Sequence, residues 1–183
     1  MSTNRKKMLL VMTTMNTGGI ATSIRNMIYA LPEEKYCIDL LVFNKDNCED
    51  IFLSGELLSA GKYMRLVAIS QLHSLRENKI LGIYRLILGG ITKVFGHEIA
   101  YKELLRHTAP VSKEYDIAIS CSQSGPNNSL YGGCNEYVLS KVKAKEKITF
   151  IHCDYKAYGL DSKYSHKIYD AFDKIACVSE SVR

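Results

Sequence analysis

No Cys-x-x-Cys pair occurs in this chain, and no cysteine stands at ligand spacing from a histidine. Neither a zinc site nor a disulfide framework is therefore expected. The six cysteines, Cys37, Cys48, Cys121, Cys134, Cys153 and Cys177, are scattered, several of them inside strand-like apolar runs. They read as buried reduced thiols of a cytosolic protein. There is no run of lysines interleaved with aromatics, so the net charge of +5 does not point to nucleic acid. No apolar run reaches the roughly 20 residues needed to cross a bilayer. The longest, residues 80–95, is interrupted by Arg85 and Lys93. The basic residues 1–7 precede an apolar run of residues 8–12 only, too short for the core of a signal peptide. Internal repeats, low-complexity segments and an interdomain linker are also missing, so the 183 residues are expected to form one domain.

What is present begins with residues 8–14, an apolar run leading into Asn16-Thr17-Gly18-Gly19. An amphipathic helix over residues 21–31 and a second apolar run over 36–43 follow. Ile20, Ile24, Met27, Ile28 and Leu31 share one face of that helix. This is the opening unit of a doubly wound α/β domain, with glycines at the turn where such folds bind phosphates. Glycine lets a ligand approach the backbone, and the helix start offers unpaired N–H groups to an anion. The unit suggests a nucleotide-like ligand. The third glycine of a dinucleotide fingerprint is absent, and Asn44 and Lys45 follow the second strand where an acid is expected. A nicotinamide-dependent oxidoreductase is thereby disfavoured.

Further along, the pattern predicts a short helix over 55–60 stopping at Gly61, a third strand over 64–69, and a helical stretch over 72–107 broken near Gly89-Gly90 and Gly96. A buried fourth strand is expected at 115–121, a helix at 135–143, a fifth strand at 147–153, a helix at 163–172 and a sixth strand at 174–178. Strands alternating with helices imply a mostly parallel sheet of about six or seven strands, with helices on both faces. The chain stops at Arg183 just after a strand, an odd place for a self-sufficient domain to end.

Several local patterns resemble, in order and over nearly the whole chain, the N-terminal domain of family-4 glycosyltransferases of the GT-B fold. They are Lys7-Met8-Leu9-Leu10-Val11 leading to Asn16-Thr17-Gly18-Gly19, Leu31-Pro32 before Tyr36, and Tyr115-Asp116-Ile117-Ala118-Ile119-Ser120. Lys143-Ala144-Lys145-Glu146-Lys147-Ile148, Ile151-His152-Cys153-Asp154-Tyr155, and the run from Phe172 through Cys177-Val178-Ser179-Glu180-Ser181 complete the series. The resemblance implies a Rossmann-like three-layer domain, the acceptor-side half of a cytoplasmic enzyme of surface-polysaccharide assembly. Such an enzyme takes a nucleotide sugar as co-substrate, needs no metal, and transfers the sugar to a saccharide or lipid-linked acceptor, with contact to the inner face of the membrane. Most donor contacts belong to a second domain with no counterpart in these residues, so the chain is expected to be inactive alone. The alternatives are a non-catalytic glycosyltransferase-like binding subunit and an unrelated Rossmann-like enzyme that binds another phosphorylated ligand.

By that resemblance the Gly18-Gly19 loop, with Asn16, faces the cleft against the donor diphosphate or the sugar; the plain alternative is a tight turn. His152, the catalytic candidate, ends a strand and would position the donor sugar, or it is hydrogen-bonded within the fold. Asp154 could orient the imidazole or bind acceptor hydroxyls, or it is a helix cap or a solvated loop acid. Ser122, Ser124, Asn127, Asn128 and Tyr131 cluster at the exit of the fourth strand, where hydroxyls and amides suit sugars but also suit turns. Glu180 faces the cleft or begins a helix. Residues 75–106 mix apolar side chains with Arg76, Lys79, Arg85, Lys93 and Lys102. That mixture fits a segment docking on anionic lipid or a core helix pair with solvated basic residues. His73, His97, His107 and His166 are single and far apart, and no role is expected of them.

Overall fold

The computed structural model describes residues 5–16, 18–46, 48 and 51–178. Thr17 and Glu180, both singled out above, lie outside them. Six strands, β1 (Lys6–Thr14), β2 (Tyr36–Asn44), β3 (Leu57–Ser59), β4 (Glu114–Ser120), β5 (Lys143–Ile151) and β6 (Lys174–Cys177), form one sheet in the order β3-β2-β1-β4-β5-β6. Every neighbouring pair is parallel. The helices are α1 (Gly19–Ala30), α2 (Gly61–Arg65), α3 (Gln71–Glu77), α4 (Lys79–Phe95), α5 (His97–Arg106), α6 (Cys134–Lys141) and α7 (Lys163–Tyr169). The result is a Rossmann-like α/β domain with an all-parallel sheet between helical layers.

Two cores flank the sheet, because successive side chains of a strand point to opposite faces. Leu10 and Met12 of β1 pack with Ile38, Leu40 and Val42 under Ala21, Ile24 and Ile28 of α1. On the other face Leu9 and Val11 pack with Leu41 and Phe43 under Met64 of α2, Leu88 of α4, Leu104 of α5 and Val138 of α6. β1 is buried on both sides, which is why it reads as a continuous apolar run.

The expected order of elements is corrected at four places. Residues 57–59 form edge strand β3, where a helix was expected, and 64–69 form the end of α2 and a turn, where a strand was expected. Short apolar runs suit either state, and burial of Met64, Leu66 and Val67 under the sheet settles this one. β5 starts at Lys143, four residues before its expected start, because Lys143 lies in register with Glu114 and Lys145 bonds Asp116 across β4 at 2.6 Å. Lys143, a strong helix former, was expected to end the preceding helix instead.

The long helical stretch breaks at Asn78 and Gly96, but not at Gly89-Gly90. Asn78 ends α3 and caps α4, its Oδ1 accepting the Leu81 amide at 3.0 Å. Gly96, at φ +82°, ends α4 in the left-handed region. Glycines 89 and 90 each cost about 1 kcal/mol relative to alanine, less than the packing of Leu88 and Thr92 on either side holds in place. No helix of the described residues is long and apolar enough to cross a membrane.

Candidate functional site

The strand order places a switch point between β1 and β4: the chain winds outward from β1 to β3, then crosses to β4 and winds the other way through β6. Connections leave the carboxyl ends of β1 and β4 in opposite directions, which opens a crevice there. A cleft of about 520 Å³ lies at that point. Met12, Thr13, Thr14, Asn16, Gly18 and Gly19 line it from the β1 exit, Ser122, Gln123 and Tyr131 from the β4 exit, and His152, Cys153 and Tyr158 from the β5 exit. Two other surface clefts, of about 490 and 420 Å³, lie between residues 58–63 and 107–113 and against Lys7, Asp116 and Lys145. Neither gathers these strand exits.

Gly18 and Gly19 meet the cleft with no steric or backbone need for glycine there. Gly18 has a φ of 167°, extended backbone that any residue adopts, and a Cβ built on Gly19 would meet nothing within 4 Å. Gly55 contrasts with both, since a Cβ there would lie 2.6 Å from the carbonyl oxygen of Ile38. α3, α4 and α7 are capped by Ser70, Asn78 and Ser162, whereas among the described residues no side chain is seen to cap α1 and no acid sits in its first turn. Among the described residues, no side chain competes with an anion for the first N–H groups of α1.

His152 is held in one orientation. Its Nε2–H donates to the carbonyl of Cys121 at 2.8 Å, and its backbone N–H donates to Gln123 Oε1 at 2.8 Å. A carbonyl only accepts, so Nε2 carries the proton and Nδ1 is the acceptor of the neutral ring. The Gln123 amide also donates to Cys153 Sγ at 2.7 Å and so joins the exits of β4 and β5. Opposite, Thr13 Oγ1 and Tyr131 Oη hydrogen-bond at 2.9 Å, tying the β1 exit to the β4 loop, which Tyr101 Oη anchors by donating to the Tyr131 carbonyl at 2.8 Å. No lysine, arginine, aspartate or glutamate appears among the described residues lining the cleft. It is a neutral, hydroxyl- and amide-lined site, able to hydrogen-bond polyols and to offer helix N–H groups to a phosphate. Among the described residues no group of three or more His, Cys, Asp and Glu side chains could hold a metal ion.

Asn16, Gly18, Gly19 and His152 therefore meet in one cleft, with Ser122 and Tyr131. Ser124, Asn127 and Asp154 stand elsewhere. Ser124 is buried and its Oγ accepts the Gly133 amide at 3.2 Å, folding the β4 loop back on itself. Asn127 is exposed and lies over Gly96. Asp154 is exposed and accepts the Ala157 amide at 2.9 Å, so it caps a turn and not a helix. Thr13, Gln123, Cys153 and Tyr158 escaped sequence reading. Gln123 had one signal, its place between Ser122 and Ser124 just past a buried strand.

Behind the β4 loop, the Glu136 side chain of α6 is 6% exposed and accepts from Tyr164 Oη at 3.2 Å. Burial pushes its carboxyl up to about 7. The folded chain therefore keeps a proton that the unfolded chain loses above about 4.5, and stability falls as pH rises between those values. The loss amounts to about 3 kcal/mol at and above neutrality. Glu136→Gln is expected to recover most of it at about pH 8 and to change little at about pH 4. Denaturant titration at both values checks this.

The arrangement defines a class: a doubly wound parallel α/β domain with a carboxyl-edge cleft suited to a phosphorylated or polyhydroxylated ligand. Comparison of the chain with protein-family models, with curated proteins and with solved structures finds no match.

Proposed function

We propose that these residues form the acceptor-side lobe of a glycosyltransferase that moves a sugar from a nucleotide-sugar donor to a cell-surface polysaccharide or a lipid-linked acceptor. The observation that carries this reading is the meeting, in one cleft, of an unencumbered glycine loop and an oriented His152 whose strands are separated only by β4. The glycine loop and the start of α1 receive the donor phosphates, while Nδ1 of His152 accepts from a sugar hydroxyl. Thr13, Gln123 and Tyr131 supply further neutral partners for hydroxyls. With no carboxylate in the described cleft lining, this lobe offers neither a carboxylate base nor a covalent nucleophile of that kind. Its contribution is to hold the reacting groups in line, which alone lowers barriers by several kcal/mol.

The described cleft lining also holds no cation to balance a diphosphate, so the donor's charge is met by a second lobe, wherever it is encoded. Residues 1–183 alone are expected to show no transfer, and adding a donor-binding lobe is expected to restore it. Release of nucleoside diphosphate from a nucleotide sugar, followed with and without that lobe, is the test. Turnover by the lone chain would contradict the proposal, as would a second lobe that binds acceptor but not donor.

The order 3-2-1-4-5-6 also suits a nicotinamide dinucleotide, the one observation that favours a second reading. Against it, the acid nearest the β2 exit, Asp46, accepts from Asn44 Nδ2 at 3.0 Å and pairs with Arg65 at 3.6 Å. A ribose would find that carboxylate engaged. Tight binding of nicotinamide dinucleotide, measured calorimetrically, would favour this reading over glycosyl transfer.

A further inference from the structure

α4 is a surface helix whose outward face is apolar. Ile83, Ile87 and Val94 follow Ile80 at offsets of three, seven and fourteen, so all four share one side, with Leu86 at its edge. Their exposures are 79% for Ile80, 53% for Ile83, 56% for Ile87, 73% for Val94 and 59% for Leu86. A helix that docks through Leu88 and Thr92 ordinarily turns charge toward water on its far side. Here the far side is a contiguous hydrocarbon stripe, the kind of patch that marks a contact surface. The expectation of a core helix pair therefore holds for one face of α4 only.

Charge decides what covers the other. The 17 residues of α4 include no acid, and Lys79 and Lys93, both exposed, flank the stripe along one edge. Acids on the adjoining helices are engaged: Glu77 with Arg65 and His73, Glu98 with Lys102, Glu103 with His107. We propose that α4 docks the protein on an anionic lipid bilayer, with the stripe at the acyl boundary and the two lysines among the headgroup phosphates. A second copy of the chain fits worse. Stripe against stripe, an antiparallel arrangement sets Lys79 against Lys93 and a parallel one sets each lysine against itself, with no acid on the helix to relieve either. Phosphate headgroups pair with both, and the lysine stems let the ammonium groups reach them while the isoleucines insert.

At about 25 Å, from 1.5 Å per residue, α4 lies in the interface and does not cross it. Its C-terminal end abuts the loop that carries Tyr131 into the cleft, since Gly96 packs against Asn127. Docking would thus hold the cleft beside the bilayer. The inference stands on the surface of α4 and does not need the glycosyltransferase reading.

Vesicle flotation of the 183-residue chain tests it. The chain is expected to float with phosphatidylcholine vesicles that contain phosphatidylglycerol, not with phosphatidylcholine alone, and less as salt is raised. The double variants Ile83→Asp/Ile87→Asp and Lys79→Glu/Lys93→Glu are each expected to lower the bound fraction about tenfold or more. Both change exposed side chains, so their thermal unfolding should match that of the parent. Phe52→Asp, equally exposed but set between Ile51 and Leu53, which pack on the α1 side of the sheet, is expected to bind normally. Absence of flotation, or undiminished flotation of Ile83→Asp/Ile87→Asp, would overturn the proposal. So would a concentration-dependent dimer, seen by sedimentation, that the aspartate variant dissolves in a chain that binds no vesicles.

Discussion

Gly19→Val, placed in an enzyme with both lobes, is expected to lower kcat/KM by about a hundredfold or more while leaving the fold intact. The reason is the empty space before the glycine: a Cβ there meets no protein atom within 4 Å, and Gly19 lies on the wall of the switch-point cleft. In the proposed reading, a branched side chain would occupy the space through which a phosphate reaches the first N–H groups of α1. At the first helical position valine changes stability by less than about 1 kcal/mol. Unfolding measurements on the same sample therefore separate a blocked site from a damaged domain. Unchanged turnover in Gly19→Val would mean that the loop does not face the substrate.

Asp39→Ala is expected to cause the largest loss of stability, about 3 kcal/mol, or roughly 10 °C in unfolding midpoint for a chain of this size. Asp39 is an acid in the middle of β2, buried near the amino edge of the sheet. Its Oδ2 accepts from Tyr115 Oη at 2.8 Å and from Lys113 Nζ at 3.0 Å, and its Oδ1 accepts the Glu56 amide at 2.8 Å. One carboxylate thus pins the approach to β3 and the start of β4 onto β2. Removing it leaves a buried phenol and a backbone N–H without their acceptor, each costing about 1–3 kcal/mol. The lysine matters least, because its side chain is 40% exposed and such pairs contribute under about 1 kcal/mol. Asp39→Asn keeps an acceptor for the Glu56 amide and should lose less than Asp39→Ala. Equal losses in the two variants would show that charge, not hydrogen bonding, holds this corner.

Parts of the architecture were legible because local pattern and tertiary demand agree. β1, the glycine turn, α1 and β2 combine a doubly buried strand with an amphipathic helix of clean spacing, and each was recognised close to its true bounds. β3 and residues 64–69 were exchanged in type, because apolar stretches of three to six residues carry no period, and only the neighbouring strand or helix decides between them. The role of Asp39 was invisible for a different reason: its phenol partner is 76 residues away, and nothing local marks an acid in an apolar run as a clasp. In the site, glycines and a histidine at strand ends were legible because open α/β sheets gather such ends at one edge. Ser124 and Asp154 belong to the same loops yet serve their own turns, and that choice depends on where each side chain points after the strand ends.

The most direct test is a titration of the isotope-labelled chain with UDP-glucose, followed by amide NMR. The expected result is weak, saturable binding that shifts the amides of Gly18, Gly19 and Ile20 at the start of α1 together with those of Gln123 and His152. Shifts confined to another surface, or none up to the highest concentration used, would contradict the proposal that the switch-point cleft is a sugar-phosphate site.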